Sequence, residues 1–240
     1  MRNLLIPAMA VALFACSAPE DVVQQVGFQD GRTTSGQNGE RGSVKISEIL
    51  WSGSILVDDS GNHIYDPTDI FIELRNESAR PINLSNWIIR VRGVDPYALR
   101  LPKTDRLMDV GEHMFIAAKD TGCFPEPDWV IEDLRLPRND PFSLTLQDID
   151  ERLIEGAGSR YAPPFAGGYD LVHSRSMEMA QLMFGARGNQ PHVWHHYTKT
   201  EVDIPNNLKV AEACREFTGA SPGAANSPDY AGSFAAGAFD

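Results

Sequence analysis

Asp69-Ile70-Phe71-Ile72-Glu73-Leu74-Arg75-Asn76 is the stretch that decides the fold class of this 240-residue chain. Ile70, Ile72 and Leu74 recur with a period of two, which puts them on one face of an extended strand. Working outward, Val44-Lys45-Ile46-Ser47-Glu48-Ile49-Leu50 opens with apolar–polar alternation and loses phase near Glu48. Asn86 to Arg92 places Trp87, Ile89 and Val91 on one side, with Leu84 expected beside Trp87 in the core. His113 to Ala118, Phe142 to Gln147 and Arg152 to Glu155 read as further strands, and Asp148-Ile149-Asp150-Glu151 as the turn between the last two. Turn residues such as Gly61-Asn62, Asp66-Pro67, Pro81, Asp95-Pro96 and Asn139-Asp140-Pro141 punctuate the stretch. No segment carries a 3.6-residue apolar period. Many short strands without helices between them predict an all-β antiparallel sandwich or barrel. Gly156-Ala157-Gly158 and residues 162–168 read as loop.

The flanks read differently. Met1-Arg2-Asn3 is a short basic start and Leu4 to Phe14 an apolar run. The run falls short of the about 20 residues a membrane span needs. Leu13-Phe14-Ala15-Cys16 looks like a lipobox, so residues 1–15 are expected to leave as a signal peptide and Cys16 to be lipidated. The alternative is an ordinary signal peptide that leaves Cys16 a plain thiol. Ser17 follows the cysteine rather than Asp, which favours the outer membrane of a bacterial envelope. Residues 16–42, polar and Gly-rich toward their end, read as a flexible linker that would span roughly 28 Å on average. Residues 229–240, rich in Gly and Ala, read as a disordered tail.

Net charge is −12, with 21 basic against 33 acidic residues. No basic stripe is visible, so nucleic acid is not an expected partner. With Cys16 assigned to lipid, Cys123 and Cys214 remain. In an oxidising compartment that pair reads as a disulfide, the other reading being two separate buried thiols.

The ordered set Val44-Lys45-Ile46-Ser47-Glu48-Ile49, Phe71-Ile72-Glu73-Leu74-Arg75-Asn76, Ile82-Asn83-Leu84-Ser85-Asn86-Trp87, Leu144-Thr145-Leu146-Gln147-Asp148 and Ser221-Pro222-Gly223-Ala224-Ala225-Asn226 resembles the lamin tail domain. Ser174-Arg175-Ser176-Met177-Glu178 resembles the segment before that family's closing strand. The resemblance spans residues 43–228. It implies an immunoglobulin-like β-sandwich, with Trp194 as a late core tryptophan, and a binding or scaffolding role. The expected partners are the membrane, through lipid, and another envelope or extracellular protein.

Candidate chemistry is sparse. His192, His195 and His196 cluster with Trp194, and His173 or Asp203 would be needed to complete a zinc site. His195 and His196 are adjacent, so on a strand they point to opposite faces. Asp58-Asp59-Ser60-Gly61-Asn62, with Asp66 and Asp69, has a calcium-like density of oxygens but no EF-hand spacing, since Ile70 stands at the twelfth position from Asp59. No cofactor is expected. A metal-dependent hydrolase on His192, His195 and Asp203, or a calcium-dependent adhesion module, are the alternatives. Glu73, taken as a mid-strand carboxylate without an acidic partner, reads as solvated or hydrogen-bonded rather than catalytic.

Overall fold

The structure is a computed structural model and describes residues 39–138, 140–180, 187–198 and 209–228. Among the described residues fifteen strands follow one another: β1 (Val44–Leu50), β2 (Ser54–Val57), β3 (His63–Asp66), β4 (Phe71–Asn76), β5 (Ile88–Arg92), β6 (Tyr97–Arg100), β7 (His113–Ala117), β8 (Trp129–Val130), β9 (Phe142–Gln147), β10 (Leu153–Ser159), β11 (Gly168–Tyr169), β12 (Ser174–Arg175), β13 (Met177–Met179), β14 (Trp194–His196) and β15 (Thr218–Gly219). Among the described residues there is no α-helix, only short 3₁₀ turns at Pro191–Val193 and Glu212–Cys214. The chain is an all-β sandwich. One sheet runs β14-β13-β1-β4-β7-β8 and the other β10-β9-β5-β6, with a small β11-β12-β15 sheet and the β2–β3 hairpin beside them. The pairings are antiparallel except β7 with β8 and β12 with β15.

Alternation explains how β4 serves two cores. Ile72 and Leu74, with Ile70, face the core between the two large sheets, where they meet Trp87, Leu84, Ile89, Leu144 and Trp194. Phe71 and Glu73 point to the other face. There Phe71 packs edge-on against Phe115 and Phe124, at ring separations of 5.8 and 4.9 Å. Leu50, Ala117, Val210 and Ala220 also belong to this second cluster. The disulfide Cys123–Cys214 lies within it, with Cα atoms 5.6 Å apart. It fastens the 209–227 segment over the sheet's outer face. Asp69 secures the other end of that arrangement, accepting hydrogen bonds from Ser54 Oγ at 2.6 Å and Cys123 N–H at 2.7 Å.

The loss of phase near Glu48 has a physical cause. Ile46 lies opposite Leu74, but Glu48 lies opposite Glu73, so Ser47 is the extra residue of a β-bulge. The bulge turns Glu48 to the outer face and returns Ile49 to the core.

One expectation is corrected. Gly156-Ala157-Gly158 is not loop but the second half of β10, paired with β9 as far as Ser159. Gly158 has φ +73°, and a Cβ there would sit 2.7 Å from the Phe142 carbonyl oxygen. The glycine permits the close approach of two strands, which is why it looked like loop composition. Asp148 builds the turn as expected, accepting the Asp150 and Arg152 N–H groups and the Arg152 guanidinium.

Candidate functional site

Three carboxylates stand in one row across the outer face of the six-stranded sheet. Glu178 on β13 is directly opposite Glu48 on β1, and Glu48 is directly opposite Glu73 on β4. All three are fully buried. Glu73 therefore has the acidic neighbour that the sequence did not reveal, and it is not solvated. The 218–227 segment folds over the row as a clasp. Ser221 N–H donates to Glu48 Oε1 at 2.9 Å, and its hydroxyl reaches Glu48 Oε2 at 3.2 Å and also Glu178 Oε1. Gly223 N–H donates to Glu73 Oε2 at 2.6 Å. Ser227 donates to Glu178 Oε2 through its N–H at 3.1 Å and through its hydroxyl. Ser47 Oγ and His113 Nδ1 each lie 2.7 Å from Glu73 Oε1. Every carboxylate oxygen in the row has a protein partner, so the row acts as a lock on the C-terminal segment.

The electrostatic cost is visible in the proton affinities. Burial first, then the charges of Glu178 and Glu73, raise the Glu48 pKa well above the usual carboxylate value. Burial raises Glu178 as well, against the hydrogen bonds of Ser221 and Ser227. Tyr197 registers the same field: burial, then Glu178 and Glu48, push its hydroxyl up to about 12. A carboxyl with a raised folded-state pKa binds its proton more tightly folded than unfolded. Its contribution to stability is complete below the unfolded value of about 4.3 and is lost as pH rises through the raised folded value. Glu48→Gln removes that charge while keeping an acceptor for Ser221. The melting temperature of the wild type should therefore fall behind that of Glu48→Gln as pH rises above about 4.3. A difference between the two proteins that stays constant from acid to neutral pH would contradict this account.

Among the described residues, the candidate metal ligands do not converge. Asp203 and Cys16 lie outside the described residues. His192 is exposed on the turn at Pro191–Val193. His195 is buried against Glu178, with its Nδ1 2.9 Å from the His196 carbonyl oxygen. His196 is on the opposite, exposed side. Its Nδ1 accepts the Gly167 N–H, and partial burial, with Arg175 and His195 nearby, holds its pKa below the usual histidine value. Asp58 uses its carboxylate to close the β2–β3 turn, accepting the Ser60 and Asn62 N–H groups and the Asn62 side-chain amide. Asp59 is exposed beside it. Among the described residues, no group of three or more His, Cys, Asp and Glu side chains is placed to hold a metal ion.

One step along the sheet from the glutamates is a second row, of opposite character. Lys45 on β1 is directly opposite Arg75 on β4, and Arg75 is directly opposite His113 on β7. Lys45 and Arg75, like charges directly opposite one another, repel, so the pair is held by carboxylates beside it. Lys45 Nζ lies 2.7 Å from Glu155 Oε2 on β10, and Arg75 Nη1 lies 3.1 Å from Glu77 Oε1. These residues line a cleft of about 890 Å³ where β10 passes beside the start of β1. Arg41, Arg187 and Thr145 are also on its walls. No family model matches the chain, and no curated protein matches it. The cleft presents basic walls on an acidic protein.

Proposed function

We propose that this chain is an exported bacterial lipoprotein that presents a lamin-tail-like β-sandwich as a binding module at the cell envelope. The observation that carries the proposal is the Cys123–Cys214 disulfide. Buried disulfides form and persist in oxidising compartments. With those two cysteines joined, Cys16 in the lipobox-like Leu13-Phe14-Ala15-Cys16 is the one cysteine left for acylation. The ordered motifs of the lamin tail resemblance support a binding rather than catalytic module. Within the fold, Glu73 and Ser221-Pro222-Gly223 act in the glutamate clasp, and Trp87 fills the core.

Two or three acyl chains hold a protein on a membrane stably, whereas one does so marginally. Cys16→Ala should move the protein from the membrane fraction to the soluble fraction of the envelope. Membrane retention of that variant would overturn the anchor. Crosslinking in cells, with the wild type and Cys16→Ala side by side, then tests the binding role: a partner captured by the anchored form supports it, and no partner with either form contradicts it.

A further inference from the structure

We propose that the cleft beside Lys45, Arg75 and Thr145 binds a short peptide segment that carries one or two carboxylates among aliphatic side chains. The inference rests on the binding-module reading and names the chemistry of its partner. Three observations converge on it. The first is sign: four cationic side chains, from Arg41, Lys45, Arg75 and Arg187, line the cleft against two carboxylates, Glu77 and Glu155. That local excess of about two positive charges stands on a chain of net charge −12. It suits a ligand with one or two negative charges and falls short of what a polyanion such as a nucleic acid requires.

The second observation is two unpaired polar atoms on residues that line the cleft. Arg75 Nε and Thr145 Oγ1 are buried, and neither has a hydrogen-bond partner among the described residues. Buried donors are nearly always paired, and an unpaired one costs about 1–3 kcal/mol. Arg75 already uses Nη1 on Glu77, which leaves its Nε side facing no acceptor. A carboxylate is the acceptor whose geometry matches that side of a guanidinium. Thr145 brings a hydroxyl donor from the other sheet.

The third observation is the apolar part of the wall. Leu144, Leu153, Ile154 and Met179 line the same cleft, and Leu153 on β10 is 42% exposed. A small inorganic anion would leave this surface wet, whereas a peptide with aliphatic residues flanking its carboxylate covers it.

The test uses full-length Cys16→Ala protein in solution, so lipid anchoring plays no part. Failure here leaves the anchor standing, and failure of the anchor leaves this result standing. The probes are acetyl-Leu-Glu-Leu-Glu-Leu-amide and its Gln counterpart, titrated calorimetrically at low salt. The Glu peptide should bind at least about tenfold more tightly than the Gln peptide, with affinity falling as salt rises. Arg75→Gln should remove that preference. Because Arg75→Gln also disturbs the Lys45–Arg75–His113 row, Thr145→Val is the companion variant. Replacing an unpaired hydroxyl with a methyl group should hold or raise the melting temperature, yet weaken the Glu peptide about fivefold to tenfold. Equal affinity for the two peptides, no heat from the Glu peptide up to about 5 mM, or unchanged affinity in Thr145→Val would each overturn the proposal.

Discussion

Replacing Cys123 and Cys214 together by alanine is expected to cost about 4–5 kcal/mol, because the bond closes a loop across 91 positions of sequence. For a domain of this size, about 2–4 °C accompanies each kcal/mol, so the melting temperature should fall by about 8–20 °C. The loss has a structural address. The disulfide joins the loop after β7 to the turn at Glu212–Cys214, and Ala211 N–H donates to the Cys123 carbonyl beside it. From there the chain runs on to Ser221, Gly223 and Ser227, the donors that satisfy Glu48, Glu73 and Glu178. Without the crosslink, the segment over the glutamates keeps the small Phe71–Phe124 cluster, the β12–β15 pairing, those hydrogen bonds and the Asn226 side-chain amide donating to the Ser47 and Met179 carbonyls. Hydrogen exchange should then show protection lost at residues 209–227 and at the middle of β1 before the four-stranded sheet is affected. A double alanine variant that melts within about 3 °C of the wild type would contradict this role.

Trp87→Ala should destabilise by about 3–5 kcal/mol, or about 6–20 °C in melting temperature. Trp87 is fully buried between the large sheets, with Leu84 and Ile89 in the same core. It also anchors the start of β5: its N–H donates to the Leu84 carbonyl, and its carbonyl accepts the Leu101 N–H at 2.8 Å. The backbone of Gly39 lies against the ring so closely that a Cβ there would be 2.5 Å from Trp87 Cη2. The site cannot refill easily, because strands on both sides are fixed by their ladders. Trp51 provides the comparison. It is half-buried at the core's margin, with its indole N–H donating to the Ala166 carbonyl at 2.9 Å. Trp51→Ala should cost less, and a Trp87→Ala loss no larger than that of Trp51→Ala would show that Trp87 is not central to the core.

The strands that sequence made legible are those whose two faces differ in an even rhythm. β9, with Phe142, Leu144 and Leu146 inward and Ser143, Thr145 and Gln147 outward, was readable residue by residue. β4 was readable from Ile70, Ile72 and Leu74, although its other face is buried too. β2 and β3 were hidden although Gly61-Asn62 between them marks a turn, because Ser54–Val57 and His63–Asp66 are only four residues each, too short to show an alternation. The half of β10 that carries Gly156 and Gly158 was hidden by its glycines, which are there for close strand approach.

The glutamate row was illegible for a topological reason. Glu178 reaches Glu48 from a strand 130 positions away, and unbroken alternation along β1 would put Glu48 on the core face with Ile46, whereas the bulge at Ser47 turns it to the face of Glu73. The one available signal was that loss of phase near Glu48. The basic row of the cleft was equally concealed. Lys45, Arg75 and His113 each look like an ordinary solvent-facing residue, and only the register of three strands aligns them.

The central claim is that a folded, disulfide-bonded sandwich is displayed on lipid attached to Cys16. The most direct measurement is the intact mass, with N-terminal fragmentation, of the protein extracted with detergent from cells that make it. The account predicts a chain that starts at Cys16, lacks residues 1–15 and carries diacylglyceryl and acyl groups on that cysteine. A chain that retains residues 1–15, or one cleaved there with an unmodified Cys16, would contradict it.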